Sequence, residues 1–261
     1  MANLQPVTKS GFTNKSWKRC SDYLHSSQDS VCPLGLTELP VAMMSMPIAF
    51  CTVNEQYSIL AVQGLQPGVN ALVNADGEWQ GGYIPANYRR YPFALAKNEL
   101  QEEELVLCID TDSSLLVDGN TEEPFLDKNF ELSQPVKEIT DFIRTVNAAQ
   151  EASTRTCKIL ADYGLLKPWK FFFKKGNDLI DIKGLSCVDE TALSELSSDA
   201  YAELRIAGVI PIIYCQLFSM QKISHIGKLT QDKNKDLMLS KGIEIDLSGL
   251  EDEGNISFEN I

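Results

Sequence analysis

The chain has little of what most catalytic machinery is made from. It holds only two histidines, His25 and His225, and neither has a serine or cysteine beside it with an oxyanion-stabilising turn. Seven cysteines show no Cys-x-x-Cys spacing, and no Cys/His cluster has the spacing of a zinc site. Gly-x-Ser-x-Gly, glycine-rich phosphate loops and Gly-x-Gly-x-x-Gly are missing, which removes the common serine hydrolases, P-loop enzymes and dinucleotide binders. Apolar runs are short. The longest, Val209 to Tyr214, falls far below the roughly 18 residues of a membrane span. Basic charge is also scarce: 23 Lys and Arg face 36 Asp and Glu, a net charge of −13. Such a surface disfavours nucleic acid, whose phosphates need cations, and equally an anionic membrane.

What is present is an ordinary globular composition. At 261 residues and 44% apolar, the chain can bury a core without disulfide or metal staples. Cys51, Cys108, Cys187 and Cys215 lie in apolar runs, where free cysteine behaves as a small hydrophobe. Unpaired cysteines, and an N-terminal stretch without the apolar stretch of an export signal, predict a cytoplasmic location. Charge is uneven. Residues 243–261 carry Glu244, Asp246, Glu251, Asp252, Glu253 and Glu259 and no base, marking 242–261 as an acidic tail. It reads as a solvated terminus, or as a docking segment whose Ile243–Leu247 alternation could add an edge strand.

Periodicity divides the rest. Residues 1–34 are polar and read as irregular, and 35–241 as one α+β domain. Strands are predicted at Pro47–Val53, Tyr57–Val62, Asn70–Asn74 and Leu105–Ile109, with the Asp76-Gly77 dipeptide marking a turn. A short helix is expected from Ala86 to about Arg90, stopped by Pro92. Residues 111–134 read as loop. From Gln134, apolar residues Val136, Ile139, Ile143 and Val146 recur at helical spacing, and Gly164 marks the C-terminal end. A hairpin follows, with Trp169–Phe173 and Leu179–Ile182 as its strands. A helix begins at Asp189, and a longer one runs from about Asp199 to Leu217, kinked at Pro211. The order predicts an α+β fold, with a mixed or antiparallel sheet in the N-terminal half and helices and a hairpin in the C-terminal half.

Two blocks concentrate chemistry. In the first, Arg89 and Arg90 sit among Tyr83, Tyr88 and Tyr91; on a helix adjacent arginines diverge by about 100°. Arginine grips carboxylates and phosphates in a planar fork and stacks on aromatic rings. The block reads either as an anion-binding pocket or as a structural arginine paired with Asp110 or Asp112. In the second, Asp110-Thr111-Asp112-Ser113-Ser114 follows an apolar strand. It resembles the aspartyl-nucleophile motif of dehalogenase-like phosphatases, but Ser114 departs from that motif. It also resembles the Asp-x-Asp metal site of sugar-nucleotide transferases. The plainer reading is an Asx or Ser/Thr turn at a strand end. Candidate ligand-binding residues are therefore Tyr83, Arg89, Arg90, Tyr91, Asp110, Asp112 and Ser113. No catalytic residue, cofactor or metal is assigned. Trp79 and Trp169 read as core anchors, and Met43-Met44-Ser45-Met46 as flexible filler or a soft contact surface, with filler favoured.

Several blocks carry a family resemblance. They are Trp79, Tyr83-Ile84-Pro85, Arg89-Arg90-Tyr91-Pro92-Phe93, Leu107-Cys108-Ile109-Asp110 with Asp112-Ser113, Gly164 to Trp169, and Ala202-Glu203-Leu204-Arg205 through Tyr214-Cys215-Gln216-Leu217. In residues, order and spacing over about 35–230 the chain resembles the bacterial SapC family. The resemblance implies a link to paracrystalline surface layers and a genetic association with tryptophan-halogenase-like proteins and outer-membrane receptors; it implies no particular reaction. The surface-layer association suits poorly a chain with unpaired cysteines. The leading expectation is a binding or accessory protein for a small anionic ligand or a protein partner. The alternatives are an enzyme using Asp110 and Asp112, and a surface-layer component.

Overall fold

A computed structural model describes residues 3–53, 56–97, 105–119, 122–175 and 178–240. The acidic tail expected at 242–261 lies outside the described residues. Thirteen strands are described: β1 (Leu4–Pro6), β2 (Lys15–Trp17), β3 (Val31–Pro33), β4 (Ile48–Val53), β5 (Gln56–Val62), β6 (Phe93–Lys97), β7 (Leu105–Asp110), β8 (Leu116–Asp118), β9 (Glu123–Pro124), β10 (Leu166–Pro168), β11 (Phe171–Lys175), β12 (Asp178–Ile182) and β13 (Ser186–Val188). The described helices are α1 (Lys9–Phe12), α2 (Leu39–Ala42), α3 (Ala86–Arg89), α4 (Gln134–Asp162), α5 (Glu190–Ser194), α6 (Ser198–Ile206), α7 (Ile210–Ser219) and α8 (Ile223–Ser240). The fold is α+β, and every described strand pairing is antiparallel.

The chain divides into two compact units. The first comprises Met1–Ser21 and Ala86–Ala148, the second Asp22–Pro85 and Ala149–Ile261. Each has its own buried cluster.

The first unit is built from two three-stranded sheets, ordered β1-β7-β6 and β8-β2-β9. Its core is aromatic. Phe12, Trp17, Phe93 and Phe125 pack with Leu107, Ile109, Val136 and Ile143. Trp17 meets Phe93 edge-on at 4.8 Å, and Phe12 lies 4.8 Å from Phe125. The Val136/Ile139/Ile143 stripe on the first half of α4 supplies the helical side of this cluster, as its spacing predicts. Residues before Gly35, expected to be irregular, instead supply three strands of three residues each. Such strands are too short to show alternation, and β1 is held by distant chain, with Leu4 opposite Asp110.

The second unit centres on a five-stranded sheet ordered β10-β13-β4-β5-β3, with the β11-β12 hairpin beside it in sequence. Its core joins Met46, Ile48, Phe50 and Ile59 of the sheet region to Phe171, Phe173, Leu204 and Ile213. Strands β13 and β4 pair only at Ser186 and Phe50. The next step of that register would set Val188 against Ile48. There the fully buried Gln216 side chain takes over, accepting from Val188 N–H at 3.0 Å and donating to Ile48 C=O at 3.2 Å. Ser219 Oγ accepts from Ile48 N–H at 2.8 Å, so α7 completes the ladder with side-chain groups.

Three expectations need correction here: residues 111–134, expected as loop, hold β8 and β9, three- and two-residue strands too short to show alternation that are defined by pairing with β2. The long helix kinked at Pro211 is two helices, α6 and α7. Gly208, at φ 73°, takes the left-handed conformation that stops α6, and Pro211 falls in the first turn of α7, where its missing N–H costs nothing. The strand expected at Asn70–Asn74 is a loop with a single bridge between Val73 and Trp79. Asn70 is buried, and its side chain bonds Ser26 C=O, the Gln63 amide and Leu72 N–H, which competes with a strand ladder.

One turn occurs in both units. In the second, Asn74 Oδ1 accepts from Asp76 N–H at 3.0 Å and Glu78 N–H at 2.8 Å. In the first, Asp127 Oδ1 accepts from Asn129 N–H at 2.8 Å and Glu131 N–H at 3.0 Å. Lys233 of α8 donates to Asn70 C=O at 2.7 Å and Val73 C=O at 2.6 Å, holding the approach to the Asn74 turn.

Candidate functional site

The Arg/aromatic block is positioned by α3 and the turn after it. Arg90 N–H reaches Ala86 C=O at 3.2 Å, and Phe93 N–H turns back to Arg90 C=O at 2.8 Å, which leads the chain into β6. Tyr88 and Phe93 are buried, so the outward-facing positions are left to the arginines. The two diverge as helical geometry requires: Arg89 is exposed and Arg90 half-buried. The Arg89 guanidinium lies over the Phe142 ring, 5.1 Å from its centroid. Tyr91 is half-buried and joined to Pro92 by a cis peptide bond. Tyr83 belongs to the second unit, where its hydroxyl donates to the buried Glu38 at 2.9 Å. The other Glu38 oxygen accepts from Gly35 N–H at 2.7 Å.

Asp110 ends β7 as a turn residue. Its Oδ1 accepts from Asn3 N–H at 3.0 Å and Asp112 N–H at 3.2 Å. Ser113 is buried, and its Oγ accepts from Leu115 N–H at 3.1 Å. This is the Asx and Ser/Thr turn chemistry that the plainer reading of the motif predicts. Asp112 is exposed. Thus Arg89, Arg90, Tyr91, Asp110, Asp112 and Ser113 share the first unit, and Tyr83 lies in the second. Among the described residues, no group of three or more His, Cys, Asp or Glu is placed to hold a metal ion.

All seven cysteines are thiols outside disulfides. Burial pushes the Cys157 thiol up to about 12 and Cys187 to about 11, so both stay protonated at neutral pH and are poor nucleophiles. Burial also raises Cys51, Cys108 and Cys215, and lowers His25 against the opposing pull of Asp22.

The SapC family model matches residues 7–226. The chain belongs to the SapC family. No curated protein and no solved structure matches it. Both chemistry-bearing blocks, and α7 as well, lie inside the SapC match.

A second surface escaped sequence reasoning. α7 has no charged residue in its ten positions, and half of it is core: Ile212, Ile213, Cys215, Gln216 and Ser219 are buried. Its opposite face shows Tyr214 and Phe218 to solvent, stacked at 5.9 Å, with Phe218 60% exposed. The neighbouring Tyr214 hydroxyl pushes the pKa of Tyr201 on α6 up. α2 packs against α7, and Val41 on α2 and Met44 in the turn after it are exposed apolar side chains. The methionine cluster thus divides: Met46 is core filler, and Met44 is exposed at 64%. An uncharged helix reads as core throughout; the usable signal is an aromatic pair at i and i+4 off the buried stripe. Among the described residues, no single helix is long and apolar enough to cross a membrane. α6 together with 210–233 has the composition but bends by 91°.

Proposed function

We propose that this SapC-family chain is a binding or accessory protein that engages a protein partner through the face formed by α7 and α2. The observation that carries this reading is the stacked, solvent-facing Tyr214–Phe218 pair on α7, a helix that packs against α2 with its exposed Val41. Rigid aromatic side chains supply large contact area at low entropic cost, and methionine adapts to the surface it meets. In a chain of net charge −13, an uncharged face is also where a partner meets least desolvation penalty.

A second reading, a small carboxylate or phosphate ligand at Arg89 and Arg90, draws support from the Phe142 ring that packs beneath the Arg89 guanidinium. The enzyme reading of Asp110 and Asp112 draws less, because Asp110 Oδ1 holds two backbone amides. A surface-layer role rests on the family name alone. Seven cysteines outside disulfides support a cytoplasmic location.

Native mass spectrometry of the protein from its own host separates the two binding readings, with tryptophan-halogenase-like proteins as the first partners to examine. The expected result is a protein complex that survives Arg89→Ala and is lost in a folded Tyr214→Ser/Phe218→Ser variant. A small anion retained by that variant and lost in Arg89→Ala/Arg90→Ala overturns the protein-partner reading in favour of the ligand.

A further inference from the structure

We infer that the chain closes an open sheet edge with its own acidic segment: residues 243–261 fold back in extended form along β12, their carboxylates facing the lysines of the β11–β12 hairpin and of α8.

The hairpin has one edge held and one edge open. Lys174 C=O of β11 accepts from Gln231 Nε2 of α8 at 2.9 Å, from outside the hairpin. Residues directly opposite in an antiparallel pair either exchange their backbone bonds or both turn them outward. Lys174 faces Leu179, so Leu179 turns its N–H and C=O to the far edge of β12, and Asp181, two residues on, does the same. Among the described residues, no group pairs with the backbone of Leu179 or Asp181 on that edge. The outer strands β1, β3, β9 and β10 each carry a proline, which blunts an edge. β12 is five residues long and carries none. Its side chains are also incompletely covered. Ile180 and Ile182 lie opposite the buried Phe173 and Phe171 yet are half-buried, and Leu179 is 66% exposed. An added strand covers both isoleucines from the side and takes up the open amides.

Charge selects the occupant. Residues 22–85, the first stretch of this unit, hold no Lys or Arg. Residues 167–183, by contrast, hold five lysines and two acids. Lys167 pairs with Asp189, and Lys183 with Asp181. Lys170 and Lys174 of the hairpin region form no ion pair among the described residues, and neither does exposed Lys228, one turn before Gln231 on the same side of α8. In a chain with 36 acids, a cluster of cations left without carboxylates fits an acidic occupant. Residues 243–261 have six acids and no base, and they begin three residues after α8 ends.

The segment is also long enough. Ser240 lies about 14 Å along the helix axis beyond Gln231. Extended chain covers about 3.3 Å per residue, so Glu251, Asp252 and Glu253 reach about 36 Å or more from Ser240, ample for the return to the hairpin. The alternation Ile243-Glu244-Ile245-Asp246-Leu247 gives the segment one apolar and one acidic face. The hairpin offers the matching pair, Ile180 and Ile182 on one face and Lys170 and Lys174 on the other.

The test replaces Leu179 by p-benzoylphenylalanine in the purified full chain, with Ile206, exposed on α6, as the control position. Irradiation at 179 is expected to give a link to a peptide within 243–261 in a product of one chain's mass, and irradiation at 206 none. Amide exchange is read on the unmodified protein. Glu251→Lys/Asp252→Lys/Glu253→Lys alters no described element; it should remove the link and speed exchange of the Leu179 and Asp181 amides about fivefold or more. Adding Lys170→Glu/Lys174→Glu/Lys228→Glu should restore both. No link, a link to another segment, a link joining two copies, the same link from 206, or unchanged exchange in the first variant each overturns the inference. So does failure of the rescue in a combined variant that melts as the wild type does.

Discussion

The Asn74–Glu78 and Asp127–Glu131 turns have one hydrogen-bond scheme and opposite requirements at the left-handed residue. At Gly77 the position is closed: a Cβ built there would lie 2.8 Å from Asp22 Cβ and 2.8 Å from Leu24 Cγ. Conformation and space both demand glycine. At Phe130, with φ 58°, the same backbone carries a solvent-facing ring. The cap therefore sets the path of the chain, and the residue at the fourth place records what surrounds it. In the second unit the turn is packed in; in the first it is open.

The largest effect that would test this contrast is at the closed position. Gly77→Ala should lose about 2–4 kcal/mol, combining left-handed strain with overlap against Asp22 and Leu24. Urea unfolding with an unchanged slope would measure it. A loss below about 1 kcal/mol would mean that the Asp22–Leu24 segment gives way, and the contrast between closed and open turns would fail. Next comes the cap. Asn74→Ala leaves the Asp76 and Glu78 amides to solvent and should cost about 1 kcal/mol in the same experiment, the usual worth of a side-chain oxygen that caps backbone donors.

The pair also shows what could be read from sequence. Asp76-Gly77 announces its turn because glycine signals positive φ. The Asp127 turn sits in a stretch that reads as featureless loop, because phenylalanine occupies the signalling position. Periodic elements were legible: α4 runs from Gln134 to Asp162 with Gly164 just beyond, and β4 and β5 lie within a residue of their expected bounds. Elements defined by partners were not. Three-residue strands have no period, and β1 owes its existence to β7, more than a hundred residues along the chain. The break between α6 and α7 was hidden by Pro211, which suggests a kink, while Gly208 does the work. At the candidate site, the Asx turn of Asp110 was legible because Asp-x-Asp-Ser carries its own local hydrogen-bond chemistry. The exposure of Tyr214 and Phe218 was not, because which side of an uncharged helix faces outward is decided by what packs against it.

The smallest effect concerns charge and separates the two caps. Asp127 is held below the ordinary carboxylate value of 3.8, first by the amide of Glu131 and then by that of Asn129, with Lys137 and Lys9 adding to it and desolvation opposing. A carboxyl depressed in the folded state adds stability that is fully present above its unfolded pKa and fades as pH falls through the folded one. The Asp127 contribution should therefore be complete above about pH 4 and decline below it. Asn74 performs the same task with a neutral amide and has no such dependence. Asp127→Asn should keep the turn and flatten the acid limb of a stability–pH curve between about pH 2 and 5, and Asn74→Asp should steepen it. Melting temperatures of wild type and both variants across that range provide the check. Equal slopes in all three would mean that the cap oxygen binds as well protonated as ionised. The two turns would then differ only at their fourth residue, and the contrast between them would rest on Gly77 and Phe130 alone.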